Sequence, residues 1–226
     1  MKYNKIVKAE FIERPNRFVA KVLLEGEELY CHVKNTGRCR ELLQPGAEVY
    51  LEDSQNPNRK YRYSLVSVKK GERIVNMDSQ APNKAVFEWL NNGSLFKNIK
   101  FLKPECKYGS SRFDFYCEYE DKKAYIEVKG VTLENENVVS FPDAPTERGA
   151  RHVGELSECI KEGFEAYIIF VVQMKDVFYF TTNEAHDPVC AAALKKAKDE
   201  GVNIIAVDCR VTPEEMVIED FVKVQV

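Results

Sequence analysis

Residues 110–130 read SSRFDFYCEYEDKKAYIEVKG, and the alternation within them decides how the surrounding chain folds. Side chains along a strand point to opposite faces in turn. On that period the stretch forms two strands, 112–119 and 123–130, joined by a tight turn at 120–122. Asp114, Tyr116 and Glu118 share one face of the first strand, opposite Phe113, Phe115 and Cys117. Tyr125, Glu127 and Lys129 share a face of the second, opposite Ala124, Ile126 and Val128. An antiparallel hairpin therefore brings Asp114 alongside Glu127, with Lys129 one step further along. Two crowded carboxylates repel, and a divalent cation relieves them. A lysine beside that cation supplies charge for a developing phosphoryl oxyanion or holds an attacking water. An ordinary solvated strand face carries the same residue types, so spacing alone leaves both readings open.

Longer strings are more specific. Asp114-x12-Glu127-Val128-Lys129 resembles the PD-(D/E)xK nuclease signature. KPECKYGSSRFD (103–114), YIEVKGVTL (125–133) and FPDAPTERGARHVGEL (141–156) resemble strings of the sugar fermentation stimulation protein A family. The resemblance covers most of the chain and implies DNA binding with a link to sugar-utilisation genes. It also marks Glu88 and Glu105 as further acidic candidates. The metal set expected is Asp114, Glu127 and the carbonyl of Val128, holding Mg2+ or Mn2+, with Lys129 beside it.

A chain of 226 residues can hold one large or two small domains. Charged residues make up 31% and hydrophobic ones 44%, as in ordinary globular proteins. Seven scattered cysteines without a C-x-x-C argue against both a disulfide framework and a zinc knuckle. The N-terminus does not read as a signal peptide, and the longest apolar run, 166–172, is too short to span a bilayer. A cytoplasmic protein without membrane association is expected, with a homodimer left open. The net charge of −3 divides unevenly, +4 over residues 1–80 and −7 over 81–226. That division fits a phosphate-binding module joined to a metal-binding one.

Residues 1–80 alternate short β-branched and aromatic runs with turn signals: 5–11, 18–24, 29–33, 47–51, 61–68 and 73–77. Breaks are expected at 14–16, 26, 35–37, 44–46 and 56–58. Five or six such strands suggest a small OB-like β-barrel. Two of its loops carry groups suited to DNA: Lys34, Asn35, Arg38 and Arg40 around Asn-Thr-Gly-Arg, and Arg59 and Arg62 in Asn-Arg-Lys-Tyr-Arg. A turn with merely solvated arginines is the competing account of each.

The rhythm changes at 78–82, with no Gly/Ser linker, so two packed domains are expected, 1–80 and 81–226. Pro82 suits a first helical position, and the helix stops at Gly93. A strand at 101–107 precedes the hairpin, and a loop at 131–145 follows it, in which Asp143 either caps the next helix, the role expected, or approaches the metal. That helix, 146–162, aligns Arg148, His152 and Glu155 on one edge, either as a phosphate clamp or as a solvated ion-paired face. Beyond it come an apolar strand at 165–173, a short strand at 177–182, and a helix begun by Asp187 and Pro188. A core strand at 202–209 and an extension from Pro213 complete the chain. The fold class is α+β in two domains, the second an α/β PD-(D/E)xK nuclease-like unit with a mixed central sheet.

Two functions follow from these readings. One is a DNA-binding protein with a metal-dependent phosphodiesterase site. The other is a DNA-binding regulator that keeps the nuclease-like fold without cleaving. An acidic interaction protein is a third class, opposed by the motifs.

Overall fold

The computed structural model describes residues 1–109 and 111–226. Strands β1 (Ile6–Asn16), β2 (Val19–Leu24), β3 (Glu27–Val33), β4 (Glu48–Asp53), β5 (Tyr63–Lys70) and β6 (Arg73–Asn76) form the first sheet. They lie in the order β3-β2-β1-β4-β5-β6, and a second pairing of β3 with β5 closes five strands into a barrel. Alternation fills it. Ala20, Val22, Cys31, Val33, Val49, Leu51 and Leu65 all point inward and are buried. One expectation fails: β1 runs through 14–16, where a break was indicated. Register shifts between Phe11 and Glu13 and between Glu13 and Asn16 accommodate Pro15, which cannot donate to a ladder.

The second domain contains α1 (Ala81–Asn91), β7 (Ile99–Tyr108), β8 (Ser111–Tyr119), β9 (Lys122–Val131), β10 (Glu134–Asn135) and β11 (Val138–Phe141). After these come α2 (Glu147–Lys161), β12 (Glu165–Val172), β13 (Tyr179–Thr182), α3 (Pro188–Asp199), β14 (Asn203–Val211) and β15 (Met216–Gln225). The sheet order is β10-β11-β13-β15-β14-β12-β9-β8-β7. It is mixed: β12 runs parallel to β9 and β14, while β7, β8 and β9 meander antiparallel. Helix α1 covers one face, burying Ala85, Val86, Trp89 and Leu90 with Phe115, Ile126 and Val128. Helices α2 and α3 cover the other with Val153, Leu156 and Leu194 against Tyr125, Ile168 and Phe170.

Three features of this domain correct the sequence reading. The segment 131–145 is not simply a loop, because β11 pairs in parallel with β13. The helix after it is capped by Thr146, whose hydroxyl accepts the Gly149 amide, and not by Asp143. The stretch after Pro213 is a ten-residue strand inserted between β13 and β14. Among the described residues no helix is long and apolar enough to cross a membrane.

The barrel and the second sheet share one continuous apolar core. At the seam the Asn76 amide donates to the Gln173 carbonyl, and Gln173 Nε2 donates to Asn76 Oδ1 at 2.9 Å. Gly130 makes room for this link. A Cβ there would stand 2.5 Å from Gln173 Oε1 and 2.9 Å from Pro82 Cγ.

Candidate metal and phosphate site

The site forms where two strands part. The β8–β9 ladder runs from Tyr119–Lys122 to Phe115–Ile126 and ends there. Strand β9 continues against β12 as far as Val131–Val172. Asp114 is the first β8 residue past the split. Its Oδ2 accepts the Val128 amide at 2.7 Å, and its Oδ1 accepts Asn83 Nδ2 of α1 at 2.6 Å. In a strand the N–H and C=O of one residue face the same neighbour, so the Val128 carbonyl also looks into this fork.

The split has a local cause in the backbone. Glu105 lies across from Asp114 on β7, between the pairs Pro104–Phe115 and Cys106–Phe113, and has φ of 51°. A non-glycine residue in that region is strained and clusters at functional sites. Phe113 and Phe115 should share a face, yet Phe113 packs with Tyr125 and His152 while Phe115 packs with Phe87 of α1. The strand turns over at Asp114, so Asp114 is held from the α1 side and Glu127 from the α2 side.

Glu127 is 3% exposed. Its Oε1 accepts Lys129 Nζ at 2.5 Å and contacts His152 Nδ1 at 2.6 Å. A carboxylate only accepts, so Nδ1 carries the proton, and His152 Nε2 is free to take Arg148 Nε at 3.4 Å. Burial opposes ionisation of Glu127, but the His152 hydrogen bond and the Lys129 ammonium outweigh it and hold the carboxyl below its usual range. Asp114 moves the other way. Burial and the neighbouring Glu127 charge push it up to about 6, against the relief given by the Val128 amide and Asn83.

The residues present fit a divalent cation. Glu127 Oε2 is buried without a hydrogen-bond partner, which is costly for a carboxylate oxygen. A cation between it and Asp114 removes that cost and the repulsion between the two acids. Among the described residues no three His, Cys, Asp or Glu side chains gather as a full protein cage. Two carboxylates completed by water and phosphate oxygens are characteristic of Mg2+, which keeps much of its hydration.

The remaining candidates are dispersed. Glu88 and Glu105 line a cleft of about 420 Å3 together with Asp114, Glu88 paired to the Met1 amino group and Glu105 to Arg112. Lys34 is engaged by Glu52 and Asp78, at 3.1 and 3.2 Å. The Asn35 amide bonds the Met77 carbonyl and the Gly37 amide. Arg62 donates from Nε and Nη2 to the two carboxylate oxygens of the buried Asp53, and Arg59 donates to Ser64. His152 is 3% exposed and faces Glu127, out of reach of a DNA surface. Arg38 and Arg40 line an open cleft of about 330 Å3 with Arg14 and Arg17. Asp143 faces the barrel, near Gly37.

Two contributors escape sequence reasoning. Asn83 orients Asp114, and nothing in Ala-Pro-Asn-Lys marks it out. Arg14 donates to the carbonyls of Arg17, Asn35, Gly37 and Arg38, fastening the Asn-Thr-Gly loop.

The chain matches known proteins throughout its length. The family model for the SfsA N-terminal OB domain matches residues 12–77, and that for the sugar fermentation stimulation protein RE domain matches 80–215. A sugar fermentation stimulation protein homolog of Clostridium beijerinckii is 56% identical over 99% of both chains. One from Ruminiclostridium cellulolyticum is 55% identical over 100% of both. The solved structure of Pyrococcus furiosus SfsA in complex with Ca2+ superposes with a TM-score of 0.90 at 27% identity, covering 100% of this chain and 98% of that one.

Proposed function

The chain belongs to the sugar fermentation stimulation protein family, and we propose that it binds DNA and cleaves a phosphodiester at the β8–β9 fork with Mg2+ or Mn2+. The observation that carries this reading is the buried, unpartnered Glu127 Oε2 beside Asp114. A relative of the same fold described in complex with Ca2+ supports a divalent cation here. In this reading residues 1–80 hold nucleic acid and 81–226 carry the chemistry.

Asp114, Glu127 and the Val128 carbonyl would hold the cation, which supplies Lewis-acid polarisation of the phosphoryl group. The chain's own groups do the rest. Asn83 and the Val128 amide fix the Asp114 carboxylate, so no reorganisation is needed when phosphate arrives. His152 holds Glu127 Oε1, which leaves Oε2 free to turn toward the cation. Lys129 donates to Glu127 at rest and reaches the phosphoryl oxygens or the attacking water once substrate competes for it. Arg38 and Arg40 on the barrel contact phosphates further along the strand.

Calorimetric titration with Mn2+ tests the site. Wild type is expected to bind and Asp114→Asn to bind at least 10-fold more weakly; identical isotherms would remove the metal from the reading. Cleavage is then assayed on single-stranded, nicked, branched and duplex DNA. A protein that binds DNA yet cuts none of these would overturn the cleavage reading and favour the alternative, a non-catalytic DNA-binding regulator of sugar-utilisation genes on a nuclease-like fold.

A further inference from the structure

Helix α1 turns a large aromatic residue away from the core it covers. Its buried stripe is Ala85, Val86, Trp89 and Leu90, whereas Phe87 is 39% exposed. Phe87 lies four residues after Asn83, hence one helical turn along the same side. Asn83 is the residue that holds Asp114 Oδ1. The Phe87 ring is steadied by Phe115, with centroids 6.1 Å apart and planes inclined by 25°. Both rings and Asp114 line the same cleft of about 420 Å3.

The polar lining of this cleft is mixed: the carboxylates of Glu88 and Glu105 stand beside Lys84, the Met1 amino group and Lys2, with Met1 ion-paired to Glu88 and Lys2 to Glu215. Glu88 and Glu105 present carboxylate oxygens there, and phosphate avoids such neighbours without an intervening cation. Carboxylates do accept hydrogen bonds from exocyclic and ring N–H groups of a base. Lys84, also in the cleft, has no ion-pair partner among the described residues and can meet the negative backbone outside it. The cleft thus runs from Asp114, where the proposed cation would bring a phosphate, to an aromatic, hydrogen-bond-accepting end at Phe87.

We propose that this cleft binds one unpaired nucleobase, stacked on Phe87, next to the phosphate held at the fork. The inference rests on the nuclease-like reading of the fork and names its substrate class. Bases inside a duplex are stacked on both faces and cannot offer one to Phe87. The substrate is therefore a single strand, a flap, or a duplex with an extruded base.

Equilibrium binding in Ca2+ tests this with three probes: a single-stranded oligonucleotide, the same strand with one abasic position scanned along it, and the matched duplex. One stacked base contributes about 1–3 kcal/mol, or roughly 5- to 150-fold in affinity. Phe87→Ala should lose at least 5-fold on the single strand and nothing on the duplex. Phe87→Leu keeps an apolar contact with Phe115 and should behave like Ala, while Phe87→Trp restores binding. One abasic position should cost wild type as much as Phe87→Ala and cost that variant nothing more. Equal affinity of wild type and Phe87→Ala for the single strand overturns the proposal while leaving DNA binding intact. So does an equal loss on single strand and duplex. Absence of any DNA binding by wild type removes the underlying functional reading instead.

Discussion

Lys129 sits 2.5 Å from Glu127 Oε1, and in the proposed function its charge stays there until a phosphate competes for it. Such a group matters more to turnover than to affinity. Lys129→Ala should leave DNA affinity within a few-fold while cutting the cleavage rate by about 100-fold, the scale of a lost electrostatic stabiliser. Paired binding and single-turnover measurements check this, and a variant that cleaves at the wild-type rate would refute the role. Alternation alone brings Asp114, Glu127 and Lys129 to one end of the hairpin, because register is a local property. The reversal of β8 at Asp114 lies beyond it, since that depends on the left-handed backbone of Glu105 in another strand. His152 shows the same limit. Its helical position suggests an outward edge, and only the packing of α2 on the sheet turns it to Glu127.

Asp187 serves two helices at once. Its Oδ1 accepts the Cys190 amide inside α3, and its Oδ2 accepts the amide of Thr146, the cap of α2. These two amides, Cys190 first, hold its carboxyl below the usual range. A depressed folded value means stability that is present above the unfolded value, about 3.9, and lost as pH falls through the folded one. Asp187→Ala should therefore cost about 1–2 kcal/mol at neutral pH, with the gap to wild type narrowing below pH 4 in denaturant melts. A pH-independent gap would rule out the carboxylate as its source. Asp187–Pro188 is a legible helix start because capping acts within one turn. Strands β10 and β11 and the full length of β15 are not legible. Glu-Asn is only two residues long and MVIEDFVKVQ carries charges that weaken the pattern, while β11 and β15 are both fixed by β13, about 40 residues away from each in sequence.

At the scale of the whole molecule, the Asn-Thr-Gly loop connects the barrel to the fork. Thr36 and Gly37 line the arginine cleft on one side and, on the other, a cleft of about 150 Å3 that includes Gly130, next to Lys129. In the proposed function, a strand bound along Arg38 and Arg40 would be led toward the end of β9. Replacing both arginines with alanine should reduce the slope of log K against log salt by about 1.4 to 1.8, roughly 0.7 to 0.9 for each phosphate no longer neutralised. An unchanged slope in a folded variant would mean that these arginines are only solvated. The barrel is legible as a series of short strands. Its arginines are not legible as free or engaged, because Asp53 and Arg62 find each other across nine residues only after the sheet has closed.

The position of β15 has a consequence for how the protein is made. It lies between β13 and β14, and the segment 214–216 before and at its start also bonds Met1 and Tyr3 through main-chain groups. During vectorial synthesis β15 is made after both of its neighbours, so the β7-β8-β9-β12-β14 sheet and the β10-β11-β13 ribbon stay unjoined until it emerges. Until then β13 and β14 each present an open edge, a surface that recruits foreign strands. Chaperone demand should thus fall on the interval before β15 emerges, when the sheet of the second domain is still in two pieces.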